Sequence, residues 1–92
     1  MHSGPNWIEA DGALERTFQL PSFREAIAFV GRVADLAEAE NHHPDIAVSY
    51  RKVTIRWTTH SAGGITDRDH ELAAGTDQVA GATSEAKPAP SE

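Results

Sequence analysis

Ser22-Phe23-Arg24-Glu25-Ala26-Ile27-Ala28-Phe29-Val30-Gly31-Arg32-Val33-Ala34-Asp35-Leu36-Ala37-Glu38-Ala39-Glu40-Asn41-His42-His43-Pro44 is the stretch on which the fold turns. Ser22 can cap a helix, and Glu25, three residues on, completes a capping box. Apolar Phe23, Ala26, Ile27, Val30, Val33, Ala34 and Ala37 recur on one helical face. Pro44 disfavours helical geometry at His43, so the spacing predicts a helix from about Phe23 to Asn41 or His42.

On its N-terminal side, Trp7-Ile8-Glu9-Ala10 and Ala13 to Leu20 flank Asp11-Gly12. Asp-Gly between extended runs signals a tight hairpin turn, in which both central residues take positive φ. Leu14, Phe18 and Leu20 share one face of the second run by the two-residue period, although Arg16 interrupts them. Residues 1–6 read as a loose end.

On the C-terminal side, Ile46 to Tyr50 and Val53 to Thr59 read as a second hairpin. Val53, Ile55, Trp57 and Thr59 face one way; Thr54, Arg56, Thr58 and His60 face the other. Trp57 and Tyr50 are expected in the core. Ser61-Ala62-Gly63-Gly64 has loop composition. Thr66, with Asp69 three residues later, is expected to cap a short second helix ending near Gly75 or Val79. From Gly81 to Glu92 the chain is too poor in apolar residues to offset its ordering entropy, so a disordered tail is expected after a domain spanning 7–80. The order β-β-α-β-β-α implies an α+β fold, an antiparallel four-stranded sheet with helices packed on one face.

Composition narrows the function. The 92 residues allow one domain, and a chain this short often gains stability by self-association. A net charge of -6 argues against direct nucleic-acid contact, whose affinity comes mostly from Lys and Arg. Without cysteine, thiol catalysis, thiolate zinc sites and disulfide frameworks are excluded. No apolar run reaches the ~20 residues of a membrane span, and no secretory signal opens the chain, so a cytoplasmic location is expected.

Chemistry-bearing residues gather around Glu38, His42, His43 and His60. Glu38 lies four residues before His42, so on a helix the two share a face and the carboxylate can fix the tautomer of that imidazole. His43 then points elsewhere, and His60 follows the last strand beside Gly63-Gly64. Imidazoles titrate near neutrality and suit acid and base work. Plainer readings stand beside this one. A histidine at a helix C-terminus complements the helix dipole. Glu38 and His42 can be an ordinary surface pair, and Asp69 can simply complete a capping box. Three ligands from Glu38, His42 and His60 could hold zinc, but neither His-Glu-x-x-His nor cysteine accompanies them. No serine has the context of a nucleophile elbow.

Glu38-x-x-x-His42-His43-Pro44, followed by Tyr50, His60 and Asp69, resembles the signature of the pterin-4a-carbinolamine dehydratases. Thr58-Thr59-His60-Ser61-Ala62-Gly63-Gly64-Ile65-Thr66-Asp67-Arg68-Asp69 looks like that family's second block, and the likeness extends from Trp7 to Ala74. The resemblance implies a hydro-lyase that dehydrates 4a-hydroxytetrahydropterin to quinonoid dihydropterin during tetrahydrobiopterin recycling, with no cofactor. It makes His42 and His60 the acid/base pair, gives His43 to substrate holding, lets Glu38 orient a histidine, and makes Asp69 a supporting group. Substrate would lie against His42, His43, Pro44, Thr59, His60, Ser61 and Ala62. The family forms dimers through sheet edges, and often tetramers. Its animal members also serve as dimerisation cofactors of a homeodomain transcription factor, so a non-catalytic protein-binding module is the alternative expectation. Two departures stand out. A helix usually precedes the first strand in the family and is expected to be missing here. Ile46 stands where relatives often carry an aromatic residue.

Overall fold

Asp11 and Gly12 take φ of 52° and 79°, the geometry of the tight turn that the Asp-Gly pair demands. They join β1 (Ile8–Ala10) to β2 (Ala13–Gln19). The computed structural model describes residues 6–82. After β2 come α1 (Phe23–Glu40), β3 (Asp45–Ser49), β4 (Lys52–Trp57), a 3-10 turn (His60–Ala62) and α2 (Asp67–Ala82). The sheet order is β1-β2-β4-β3, and every neighbouring pair is antiparallel. Both helices cover one face, so the expected α+β architecture is the one observed.

Cross-strand partners Leu14 and Trp57, and Phe18 and Val53, put the apolar sides of the two central strands on one face. There they bury against Ala26, Phe29, Val33 and Ala37 of α1 and Leu72, Ala73 and Ala80 of α2. The Phe18 and Phe29 rings meet with centroids 4.8 Å apart. Truncating either ring to Ala would cost about 3–5 kcal/mol through lost transfer energy and the cavity left behind. Arg16 keeps its place on this face by laying its guanidinium over Phe18, 4.2 Å from the ring centroid, and bonding Asp77 of α2. Trp7 Nε1 donates to the same carboxylate at 2.9 Å.

Several expectations are corrected. The buried stripe of α1 is Ala26, Phe29, Val33 and Ala37, which leaves Phe23 and Ile27 exposed. Phe29 supplies the bulk that the predicted face assigned to its neighbours. Tyr50, expected in the core, is 85% exposed at positive φ in the β3–β4 turn. β4 ends at Trp57, so Thr59 lies beyond the strand, in an isolated bridge to Gly64. α2 does not stop at Gly75 or Val79. At Gly75 it passes close to α1, where an added Cβ would lie 3.3 Å from Leu36 Cδ2, so the glycine permits helix packing instead of ending the helix. Gly81 and Ala82 close α2, and the remainder of the expected tail, 83–92, lies outside the described residues. Of the expected loose start, 1–5 also lies outside them. Ile46, opposite Ile55, packs half-buried against the core. No helix among the described residues is long and apolar enough to cross a membrane.

Candidate active site

The end of α1 sets the site. Asn41 takes the left-handed conformation (φ 53°), and its N–H bonds back to Ala37 and Glu38. Asparagine tolerates this geometry where most residues do not. The chain therefore leaves the helical path before His42, and helical spacing no longer relates Glu38 to it. Glu38 Oε2 lies 2.8 Å from Nε2 of His43, in an exposed pair, and not on His42 as the four-residue spacing suggested.

His42 turns inward instead. Its Nε2 lies 3.0 Å from Asp69 Oδ1 and 3.0 Å from the Thr58 carbonyl oxygen. Its ring stacks on Trp57 at 5.9 Å, and Trp57 Nε1 donates to Thr76 Oγ1 at 2.9 Å. Both partners of Nε2 are acceptors, so Nε2 carries the proton, which leaves Nδ1 as the acceptor atom of the neutral ring.

Asp69 is fully buried in the first turn of α2. Its Oδ2 accepts from Thr59 Oγ1 (2.7 Å), Thr66 N–H (2.9 Å) and Thr66 Oγ1 (3.2 Å). Burial alone would push this carboxyl up. The bonds from Thr59, the Thr66 N–H, His42 and the Thr66 hydroxyl together outweigh it and hold the group below the ordinary carboxylate range. Asp69 therefore caps α2, as the plain reading had it, and also holds His42.

His60 stands apart, exposed, at the head of the 3-10 turn with Ser61 and Ala62. It lines a hollow of about 280 Å³ with Asp11, Gly12, Asp45, Arg56, Thr58, Gly63 and Gly64. Thr58 faces both ways, since its carbonyl accepts from His42 and its hydroxyl donates to the Gly12 carbonyl at 2.8 Å. Among the described residues no side-chain hydrogen bond links His60 to His42 or His43, and none forms a group of three or more donors placed to hold a metal. Sequence reasoning did not single out Asp45 and Arg56, which line this hollow. Two-residue alternation had placed Arg56 on the His60 side of its strand, so the signal was present for Arg56. Asp45 becomes visible only through its pairing with Arg56 across β3 and β4.

A family model described as pterin 4 alpha carbinolamine dehydratase matches residues 1–79. The chain belongs to this family. A provisionally named pterin-4-alpha-carbinolamine dehydratase of Roseiflexus sp. strain RS-1 is 53% identical over 73 residues, covering 79% of this chain and 78% of that one. One from Picosynechococcus, named in the same provisional way, is 48% identical over 75 residues, covering 82% of each. Among solved structures, a transcriptional coactivator/pterin dehydratase from Brucella melitensis superposes with a TM-score of 0.78 at 31% identity, covering 83% of each chain. A pterin dehydratase-like protein identified as a RuBisCO assembly factor in the alpha-carboxysome gives 0.70 at 28% identity, covering 87% of this chain and 92% of that one.

Proposed function

We propose that this chain dehydrates 4a-hydroxytetrahydropterin to quinonoid dihydropterin, as a hydro-lyase of pterin recycling. The observation that carries the reading is the fixed tautomer of His42. With Nε2–H held by Asp69 and Thr58, Nδ1 is left as the lone-pair nitrogen that can take a proton. Family membership supplies the pterin.

The lone pair on the adjacent ring nitrogen expels the 4a-oxygen, which leaves as water once an acid has protonated it. A base then removes the ring N–H proton from the iminium. His60, unengaged by the other histidines, is the acid in this scheme, and His42 is the base. His43, steadied by Glu38, holds the substrate together with Pro44 and with Ser61 and Ala62 of the 3-10 turn. Thr59 acts through its hydroxyl on Asp69. The chemistry needs neither metal nor bound cofactor.

Absorbance-monitored dehydration of hydroxylase-generated 4a-hydroxytetrahydropterin tests the reading. Acceleration is expected, and it should vanish in the His42→Ala, His60→Ala double variant. Full turnover in that variant would remove the acid/base pair. A second reading, a protein-binding module, draws support from the names of the two structural neighbours and from the exposure of Phe23 and Ile27 on α1. That role would survive the double substitution.

A further inference from the structure

The hollow beside His60 carries more polar groups than proton transfer requires. Glu15, Arg56 and Asp45 form a row across β2, β4 and β3 on the helix-free face of the sheet. Glu15 Oε1 accepts from Arg56 Nη1 at 2.7 Å, which leaves four of the guanidinium's five N–H groups for other acceptors. No described residue bonds the Asp45 carboxylate, although it stands directly across the strand pair from Arg56. Asp45 follows His42-His43-Pro44 directly in sequence, and His60 shares with it the lining of the hollow. Its volume, about 280 Å³, falls just below the range of pockets that enclose a whole small molecule, about 300–1,000 Å³, and suits one edge of a ring system.

We propose that Asp45 and Arg56 are the specificity end of the substrate site, with Asp45 accepting from the 2-amino group and N3–H of the pterin and Arg56 donating to its 4-oxo oxygen. This rests on the dehydratase reading. The N2–H and N3–H bonds form a parallel fork like that of a guanidinium, and a carboxylate matches such a fork with two acceptors. The order also agrees. Round the pyrimidine ring the 4a-hydroxyl is followed by the 4-oxo group and then by N3 and the 2-amino group. Of the lining residues, His60 lies beyond the end of β4, Arg56 lies within β4, and Asp45 lies directly across from Arg56 on β3. A ring with its 4a-carbon at His60 therefore meets a donor where it has an acceptor, and an acceptor where it has donors.

The test is calorimetric binding of 7,8-dihydrobiopterin and of its 2-oxo counterpart, which lacks the amino group, together with the dehydration assay. Asp45→Asn should weaken dihydrobiopterin binding about 10- to 100-fold, the size expected for bidentate bonds to a charged group, and should raise KM more than it lowers kcat. The 2-oxo compound should bind the unaltered protein weakly and lose little more in Asp45→Asn. Asp35→Asn removes the same charge from the exposed surface of α1, outside the hollow, and should cost threefold at most. Equal losses in the two variants, or an equal Asp45→Asn penalty for both ligands, would overturn the assignment while leaving the dehydratase reading intact. A folded protein that neither binds dihydrobiopterin nor turns over the carbinolamine would overturn both.

Discussion

Asp69 Oδ1 lies 3.0 Å from His42 Nε2 and so ties the first turn of α2 to the residue that follows the cap of α1. One carboxylate thus caps a helix and fixes a tautomer. Asp69→Asn should separate these roles, because an amide can still accept from Thr66 but can present N–H to His42. Turnover should fall by about 10²- to 10⁴-fold, the range seen when an imidazole is held in the wrong tautomer or loses its acid/base role. Ring-nitrogen NMR should show the Nε2–H tautomer, now held by the Thr58 carbonyl alone, losing population to Nδ1–H. An unchanged tautomer with unchanged kcat would refute the coupling.

The same residue makes a prediction about acid stability. Its folded carboxyl lies below the ordinary range, so folding favours the ionised form. The stabilisation is complete above the unfolded value, about 4, and is lost as the pH falls toward and through the lower folded value. Between about pH 5 and pH 2 the unaltered protein should therefore lose more unfolding free energy than Asp69→Asn. Urea titrations across this window check the sign, and parallel acid slopes would contradict it.

Glu38→Gln should do much less. Its bond to His43 joins two exposed side chains, and such pairs contribute about 0–1 kcal/mol. Stability should change within that range and kcat by less than about tenfold, well short of the Asp69 effect. Steady-state kinetics of the two variants side by side would decide which carboxylate serves the proposed base. A larger loss in Glu38→Gln would restore the pairing that the four-residue spacing suggested.

Asp77 accepts from both Arg16 and Trp7. Asp77→Ala leaves a half-buried guanidinium without this carboxylate and an indole N–H without its acceptor, and should destabilise by about 1–3 kcal/mol. In a double-mutant cycle with Arg16→Leu the two losses should be less than additive, because each removes the same interaction. Denaturant melts measure this, and strict additivity would mean that the pair contributes nothing jointly.

Much of the fold was legible because local rules agreed with one another. Asp11-Gly12 specified its turn, Ser22 and Glu25 specified the start of α1, and the alternation of Val53, Ile55 and Trp57 specified the buried side of β4. Gly75 misled because a glycine that ends one helix elsewhere here admits another helix. Tyr50 misled because aromatic character says nothing about a residue at a turn tip with positive φ. Within the candidate site the residue types were legible but their pairing was not. Helical spacing linked Glu38 to His42 only while the helix was assumed to continue, and the contact between His42 and Asp69 spans 27 residues, a separation that no local pattern encodes.

The left-handed turn at Asn41 has a consequence for how such a site arises. Where α1 stops decides which acid each histidine meets. One more helical residue would carry His42 back over Glu38, out toward solvent, and leave Asp69 facing an empty place beside Trp57. The contact between His42 and Asp69 and the termination of the helix thus depend on the same backbone turn. A branched residue at position 41, for which that backbone is strained, would part His42 from Asp69 without altering either side chain.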